Sequence, residues 1–126
     1  MKTVIETDQA PAPIGPYNQA ILANGVLYVS GQIPIVPATG ELLQGTIEED
    51  TEQVMKNLKA ILEAAGTSFD NVVKCAIFIK DMGQFSQING VYGAYFNEAA
   101  PARETVEVSQ LPKGVNVEIS CIALVP

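Results

Sequence analysis

The sequence predicts an α+β domain in which two helices pack on one face of a single mixed sheet. Three patterns predict this fold class. Asn24-Gly25 lies between two apolar runs, which is typical of a two-residue β-hairpin turn. Apolar residues recur at helical spacing between Thr46 and Gly66, whereas at 115–124 they alternate with other residues as in a strand. The predicted order of elements is β-ββ-α-β-α-ββ.

The composition indicates one globular domain, residues 1–126, with a substantial core. Of the 126 residues, 48% are hydrophobic, and a chain of this size buries roughly two-thirds of its unfolded surface.

Fourteen acidic and seven basic side chains give the protein a net charge of −7. Because this charge repels phosphate backbones, we expect no nucleic-acid partner. No apolar run has the length of a signal peptide core or a membrane span, so we expect a cytoplasmic protein with no membrane partner.

Histidine is absent, and this restricts the available chemistry. Ser-His-Asp and Cys-His catalysis are excluded, as are metal sites that contain histidine. Acid–base steps must therefore use Glu, Asp, Tyr, Lys, the backbone or water. The only cysteines, Cys75 and Cys121, lie in apolar strand patterns, which favours packed core thiols over a disulfide or a zinc site.

The first part of the chain is predicted to form a short strand at 3–6, an irregular segment and a hairpin. Prolines and a glycine at 11–16 favour a fixed, extended path that ends in a tyrosine. Continuing the register of the Asn-Gly turn pairs Gln19 with Ser30. One face of the hairpin is then expected to carry Tyr17, Gln19, Ser30 and Gln32.

Two helices and a strand are predicted in the middle of the chain. After a long connection at 31–45, Thr46 begins a capping box and Gly66 ends the first helix. A strand follows at 72–80. Asp81 can cap a second helix, whose apolar side chains are Phe85, Ile88, Tyr92 and Phe96.

The last two strands, 101–108 and 115–124, are predicted to form an antiparallel hairpin. A register that places Thr105 across from Glu118 makes Arg103 a diagonal neighbour of Glu118, roughly 7–8 Å away. A guanidinium and a carboxylate on one strand face indicate a site for a small molecule that carries a carboxylate. The same pattern also fits a partly exposed ion pair worth about 0–1 kcal/mol.

The second face of the predicted sheet is too apolar to remain in water. Two helices can cover only one face, and the other carries Ala76, Phe78, Ile122 and Leu124. An exposed apolar surface of this kind indicates an interface. We therefore expect self-association with closed symmetry.

Motifs along the whole chain carry a resemblance to a known family. They are IGPYNQA at 14–20, YVSGQIP at 28–34, TGEL at 39–42, NLKAILEAAG at 57–66, INGVYGAYF at 88–96 and PARETVEVSQLPKGVNVEISCIAL at 101–124. The chain resembles the RidA-like (YjgF-type) reactive intermediate deaminases. The resemblance implies a chorismate-mutase-like fold in a trimeric, barrel-like assembly with sites between subunits. It also implies hydrolysis of 2-imino acids and enamines such as 2-aminoacrylate to 2-oxo acids and ammonia, with no cofactor and no metal.

The resemblance assigns roles to seven residues. Arg103 is expected to bind the substrate carboxylate, and Glu118 is expected to position water. Tyr17 and Ser30 are further catalytic candidates. Gly31, Asn89 and Thr105 match substrate-binding positions. A guanidinium fork binds a carboxylate bidentately, and a carboxylate with a nearby hydroxyl can orient water and transfer protons.

Glu104 departs from the family pattern, in which Ser or Thr often follows the arginine. On a regular strand Glu104 should point away from Arg103, whereas in a bulged strand it would compete with substrate for Arg103.

Two other functions are compatible with the sequence. One is a regulatory module that binds a small carboxylate without turnover. The other, disfavoured by the acidic charge and the missing histidine, is a ribonuclease or translation inhibitor.

Overall fold

A six-stranded mixed sheet carries two helices on one face, in a computed structural model that describes all residues from Met1 to Pro126. The strands are β1 (Thr3–Ile5), β2 (Ala20–Ala23), β3 (Val26–Gln32), β4 (Ile35–Val36), β5 (Glu41–Leu42), β6 (Val72–Ile79), β7 (Ala102–Glu107) and β8 (Val117–Leu124); the helices are α1 (Ile47–Ala64) and α2 (Phe85–Gly93). The sheet order is β1-β2-β3-β8-β6-β7, and β4 pairs with β5 in a separate ribbon. The predicted fold class is confirmed.

The predicted β2-β3 hairpin is confirmed. Asn24 and Gly25 have φ angles of 52° and 74°, as a type I′ turn requires. Ala23 pairs with Val26, and the Ser30 amide donates to the Gln19 carbonyl at 2.9 Å. The turn residues therefore determine the register over the full length of this hairpin.

A β-bulge near the end of β3 changes the predicted face of Gln32. Val29 pairs with Cys121 and Gln32 pairs with Ile119, so two residues of β3 lie opposite one residue of β8. Because the side-chain alternation has a period of two, the extra residue moves Gln32 to the buried, helix-covered face. The expected common face of Tyr17, Gln19, Ser30 and Gln32 is thus wrong at Gln32.

Helix α1 begins and ends as predicted. The Glu49 amide donates to Thr46 Oγ1 at 3.1 Å, and the Thr46 amide donates to Glu49 Oε1 at 2.9 Å. Gly66 adopts a φ of 81°, the left-handed conformation that favours glycine after a helix. The core combines its apolar face with the sheet and includes Val54, Leu58, Ile61, Leu62, Ile77 and Ile119.

Helix α2 is shorter than its apolar pattern predicted. It ends at Gly93, where two glycines within four residues disfavour a longer helix. Phe96 lies beyond the helix, and its ring packs against those of Phe69 and Tyr92.

Neither α1 nor α2 combines the length and the apolarity that a membrane-spanning helix needs.

The predicted C-terminal hairpin is wrong. Strand β8 is inserted between β3 and β6, and β7 instead pairs in parallel with β6 at the edge of the sheet. Burial explains the arrangement. From Val117 to Ala123, β8 alternates between buried and half-buried residues, which suits a central strand, whereas β7 is exposed at every position except Thr105. The segment between them passes from the edge of the sheet to its centre.

The second face of the sheet is open and apolar, as the sequence predicted. Tyr28 is 50% exposed, Leu124 46% and Val106 41%. Between them lie the half-buried side chains of Phe78 and Ile122.

The connection at 31–45 contains a short two-stranded ribbon, β4-β5, which the sequence pattern did not predict.

Candidate functional site

The predicted site residues form two groups on opposite faces of the sheet. Arg103 is aligned with the buried Cys75, so it lies on the face that the helices cover. Glu118 is aligned with Phe78 on the open face. The predicted diagonal contact between Arg103 and Glu118 is therefore wrong within one protomer. We call the two groups the arginine half-site (Phe85, Asn89, Tyr92, Arg103 and Thr105) and the glutamate half-site (Tyr17, Ser30, Gly31 and Glu118).

In the arginine half-site, uncharged groups hold the guanidinium. Arg103 Nη1 donates to Asn89 Oδ1 at 2.6 Å. The guanidinium carbon lies 5.5 Å from the ring centroid of Phe85 and 5.1 Å from that of Tyr92. The only side-chain ion pair of the chain joins two other residues, so Arg103 has no carboxylate partner. An exposed cation that is held in place but not neutralised can bind an anion.

Two buried hydroxyls near Arg103 make no hydrogen bond of good geometry. They are Tyr92 Oη and Thr105 Oγ1, and no other buried side-chain oxygen or nitrogen in the chain lacks one. Burial raises the pKa of Tyr92, and burial also raises the pKa of the neighbouring Cys75 thiol. Both groups are therefore neutral at pH 7, and Arg103 supplies the only charge of this half-site.

The glutamate half-site contains a carboxylate in an unfavourable environment. Burial raises the pKa of Glu118, and neither a hydrogen bond nor a neighbouring charge opposes the shift. Glu118 lines a small cavity of about 50 Å³ together with Tyr17, Gly31 and Pro112. A carboxylate whose pKa is moved towards neutrality is suited to accept or donate a proton during a reaction.

Gly31 belongs to the β-bulge and allows the carboxylate of Glu118 to approach the backbone. A Cβ atom at this position would lie 2.6 Å from Glu118 Oε2 and 2.8 Å from Glu118 Cδ, both too close. The bulge and the glycine together therefore place the carboxylate against β3. The family resemblance implied a site role for Gly31 but not this contact with Glu118.

Tyr17 is held at the rim of the cavity by its own loop. Its hydroxyl accepts a hydrogen bond from the Ile14 amide at 3.3 Å, and its side chain is 47% exposed. The loop is anchored by Gln19, which is only 2% exposed. The Gln19 side chain accepts from the Thr7 amide and donates to the carbonyls of Thr7, Ala10 and Pro11.

Ser30 lies on the open face beside the bulge and contacts the same loop. Its hydroxyl donates to the Asn18 carbonyl at 2.6 Å. Because this hydrogen bond uses the hydroxyl proton, Ser30 can accept but cannot donate a second hydrogen bond. This favours a role in holding the loop against β3 over a role as a proton donor.

Glu104 points away from Arg103, as the sequence predicted for a regular strand. Its carboxylate pairs with Lys74 Nζ at 3.0 Å on the open face. Glu104 therefore does not compete for the guanidinium. The strand alternation was sufficient to predict this result.

Sequence reasoning missed Phe85 and Tyr92 as neighbours of Arg103. Both were predicted only as apolar side chains of the second helix. With Asn89 they occupy positions i, i+4 and i+7, which lie on one helix face. That spacing was visible in the sequence, but the strand that this face contacts was not.

The chain is similar to known proteins along its whole length. A family model described as Endoribonuclease L-PSP matches residues 7–125. A RutC family protein of Pyrococcus horikoshii is 55% identical over 123 residues, which cover 98% of each chain. The Arabidopsis thaliana protein named Reactive Intermediate Deaminase A, chloroplastic, is 43% identical over 97% of this chain and 65% of its own length. The crystal structure of RidA from an Antarctic Psychrobacter species has a TM-score of 0.93 and 43% identity, covering 97% of this chain and 98% of that one.

Proposed function

The chain belongs to the RidA/YjgF family, and we propose that it is a cofactor-independent enamine/imine deaminase. Its substrates are 2-aminoacrylate and the related 2-iminopropanoate and 2-iminobutanoate, and its products are 2-oxo acids and ammonia. The observation that supports this proposal best is the guanidinium of Arg103, which is held in place by neutral groups and has no carboxylate partner.

Arg103 binds the substrate carboxylate. One nitrogen of its guanidinium donates to Asn89, which leaves other N–H donors free for a bidentate interaction. Binding this end of the substrate fixes the position of the carbon that carries the nitrogen. Fixed geometry converts the attack of water into an effectively unimolecular step.

Glu118 orients the water and transfers protons. The enamine first takes a proton from solvent at its terminal carbon and becomes an iminium ion. Water then adds to the iminium carbon and gives one proton to Glu118, which leaves a carbinolamine. Glu118 returns this proton to the amino nitrogen, the C–N bond breaks to release ammonia, and the hydroxyl gives up its proton to leave the 2-oxo acid. The raised pKa of Glu118 makes the carboxylate a stronger base than an exposed glutamate.

The two half-sites belong to one active site only if different subunits supply them. Within a protomer, β6 separates β7 from β8, and Arg103 and Glu118 pair with residues of β6 that are three positions apart. Their backbones are therefore about 14 Å apart, and their side chains point to opposite faces. A three-carbon substrate cannot contact both. We therefore propose a homotrimer in which the open apolar face is buried and Glu118 of a neighbouring subunit approaches Arg103.

The experiment that tests the activity couples the protein to a dehydratase that releases 2-aminoacrylate, and it times the appearance of pyruvate. Acceleration over the spontaneous reaction is expected. Pyruvate binding without acceleration would favour a regulatory binding module. The absence of both binding and acceleration would refute both functions.

Light scattering at micromolar concentration tests the assembly, since a monomer would contradict a site shared between subunits.

RNA is a poor alternative substrate despite the endoribonuclease description of the family model. The net charge is −7, and an acidic surface repels the phosphate backbone. No histidine is present to serve as general acid or base. Neither half-site has a basic side chain besides Arg103.

Gly31→Ala is expected to reduce deaminase activity about a hundredfold, because the added methyl group displaces the Glu118 carboxylate by roughly 1 Å. The neighbouring atoms belong to a flexible side chain, so the fold should be retained. The kcat/KM of the variant checks the rate, and circular dichroism checks the fold. Gly90→Ala is a matched control, since a Cβ at Gly90 meets no atom within 4 Å. Activity of Gly31→Ala equal to that of this control would contradict the importance of the close approach.

Glu104→Ala is expected to leave the affinity for pyruvate within about twofold of the wild-type value, as is usual for exposed positions. The reason is that Glu104 pairs with Lys74 on the opposite face from Arg103. Isothermal titration calorimetry measures the affinity. A clear gain in affinity would mean that Glu104 reaches Arg103 in the assembled protein.

A further inference from the structure

The environment of Arg103 is unusual because every group that contacts the guanidinium is neutral. Helix α2 presents Phe85, Asn89 and Tyr92 on one face, and all three contact Arg103. Both rings lie within the roughly 6 Å over which a cation interacts favourably with an aromatic face. Asn89 contributes an amide oxygen where a carboxylate of the same shape would also fit.

We propose that Phe85, Asn89 and Tyr92 form a neutral cradle that orients the Arg103 guanidinium without neutralising it, and that they are positioning residues for binding of the substrate carboxylate. This inference rests on the proposed function for the identity of the anion. It gives α2 a functional role beyond packing against the core.

Orientation matters because Arg103 lies on an exposed edge strand. A free arginine side chain samples many rotamers, and fixing one of them on binding weakens affinity. The amide oxygen and the two rings fix the guanidinium before the ligand arrives. The anion then meets an ordered fork of donors.

Neutrality matters for a different reason. A carboxylate at position 89 would hold Arg103 equally well, but it would form a charge-assisted pair that an incoming anion must displace. The amide of Asn89 holds the guanidinium through its oxygen and leaves the positive charge available. Asn89 is therefore distinguished from aspartate by charge and not by shape.

Tyr92 contributes its ring and not its hydroxyl. The residue is 5% exposed, and its hydroxyl makes no hydrogen bond of good geometry; the polar side chain beside it is the Cys75 thiol, a weak hydrogen-bonding group. Tyr92→Phe keeps the ring and should therefore keep the function of the cradle. Tyr92→Leu removes the ring and serves as the contrasting variant.

The test compares pyruvate affinity, steady-state kinetics and the order of the Arg103 side chain in the full-length protein. Phe85→Leu is expected to weaken pyruvate binding about two- to fivefold and to raise KM with little change in kcat. Asn89→Asp is expected to weaken binding roughly 10- to 150-fold, more than Asn89→Ala does. Tyr92→Leu should resemble Phe85→Leu, and Tyr92→Phe, which keeps the ring, should bind pyruvate more tightly than Tyr92→Leu.

Nuclear magnetic resonance relaxation of Arg103 Nε reports the orientation without any ligand. We expect an ordered guanidinium in the wild type, Tyr92→Phe and Asn89→Asp, and a more mobile one in Phe85→Leu, Asn89→Ala and Tyr92→Leu. Thermal unfolding and light scattering identify any variant that fails to fold or assemble. Equal order in all variants, binding by Asn89→Asp as tight as by Asn89→Ala, or no pyruvate binding by the wild type would overturn the cradle. Loss of imine hydrolysis alone, with these binding differences intact, would refute the proposed function and leave the cradle standing.

Discussion

Arg103→Ala is expected to reduce kcat/KM for 2-aminoacrylate about 30- to 5000-fold, which corresponds to a loss of about 2–5 kcal/mol when one member of a bound charge pair is removed. Arg103 is the only cation of its half-site and has no carboxylate partner, so no other group can replace it. The side chain is exposed on an edge strand, and its removal should leave the fold intact.

The coupled dehydratase assay measures this effect, and two further variants sharpen it. Arg103→Lys should not restore activity, because an ammonium group lacks the planar fork of donors that matches a carboxylate. Lys59→Ala removes an exposed cation from α1 and should behave as the wild type. Imine hydrolysis by Arg103→Ala at the wild-type rate would refute the role of Arg103 in substrate binding.

Glu118→Gln is expected to lower kcat by about 10²- to 10⁴-fold, the usual contribution of a general acid–base group, and to leave thermal stability unchanged or higher. Both effects follow from the same environment, since burial penalises the ionised carboxylate. Glutamine has almost the same shape and no charge, so it relieves the penalty while it removes the proton acceptor. Catalytic groups often reduce stability in this way.

The pH dependence of this variant gives an independent check. The folded-state pKa of Glu118 is raised above the usual glutamate value, so its favourable contribution to stability is present below the unfolded pKa. That contribution is lost as the pH rises through the folded pKa. Glu118→Gln should therefore gain stability relative to the wild type as the pH rises from the usual glutamate pKa of about 4.3 through the raised pKa of folded Glu118. Over the same range, wild-type activity should fall as the pH is lowered, because a protonated Glu118 cannot accept a proton.

Thermal unfolding and kcat/KM profiles over this range measure the two trends. Glu63→Gln, at an exposed position of α1, is the matched control for loss of one negative charge. A Glu118→Gln variant that is both less stable and fully active would contradict the interpretation of Glu118 as a strained acid–base group.

The sequence by itself determined the features that depend on residues close together in the chain. The Asn24-Gly25 turn fixed the β2-β3 register, since both residues adopt the positive φ that a type I′ turn needs. The Thr46–Glu49 box and Gly66 defined the limits of α1. Strand alternation correctly placed Glu104 and Arg103 on opposite faces. Local hydrogen bonds and backbone preferences are encoded within a few residues, so no tertiary information was required.

Only the tertiary structure decided which strands are neighbours, and therefore which site residues can meet. A period of two shows which side chains share a face within one strand, but it does not relate the faces of two separate strands. The insertion of β8 between β3 and β6 moved Glu118 to the open face and left Arg103 beside α2. The bulge at Gly31 and the contacts of Phe85 and Tyr92 with Arg103 are long-range in the same sense. These features depend on packing between distant segments, which the alternation pattern of one strand does not record.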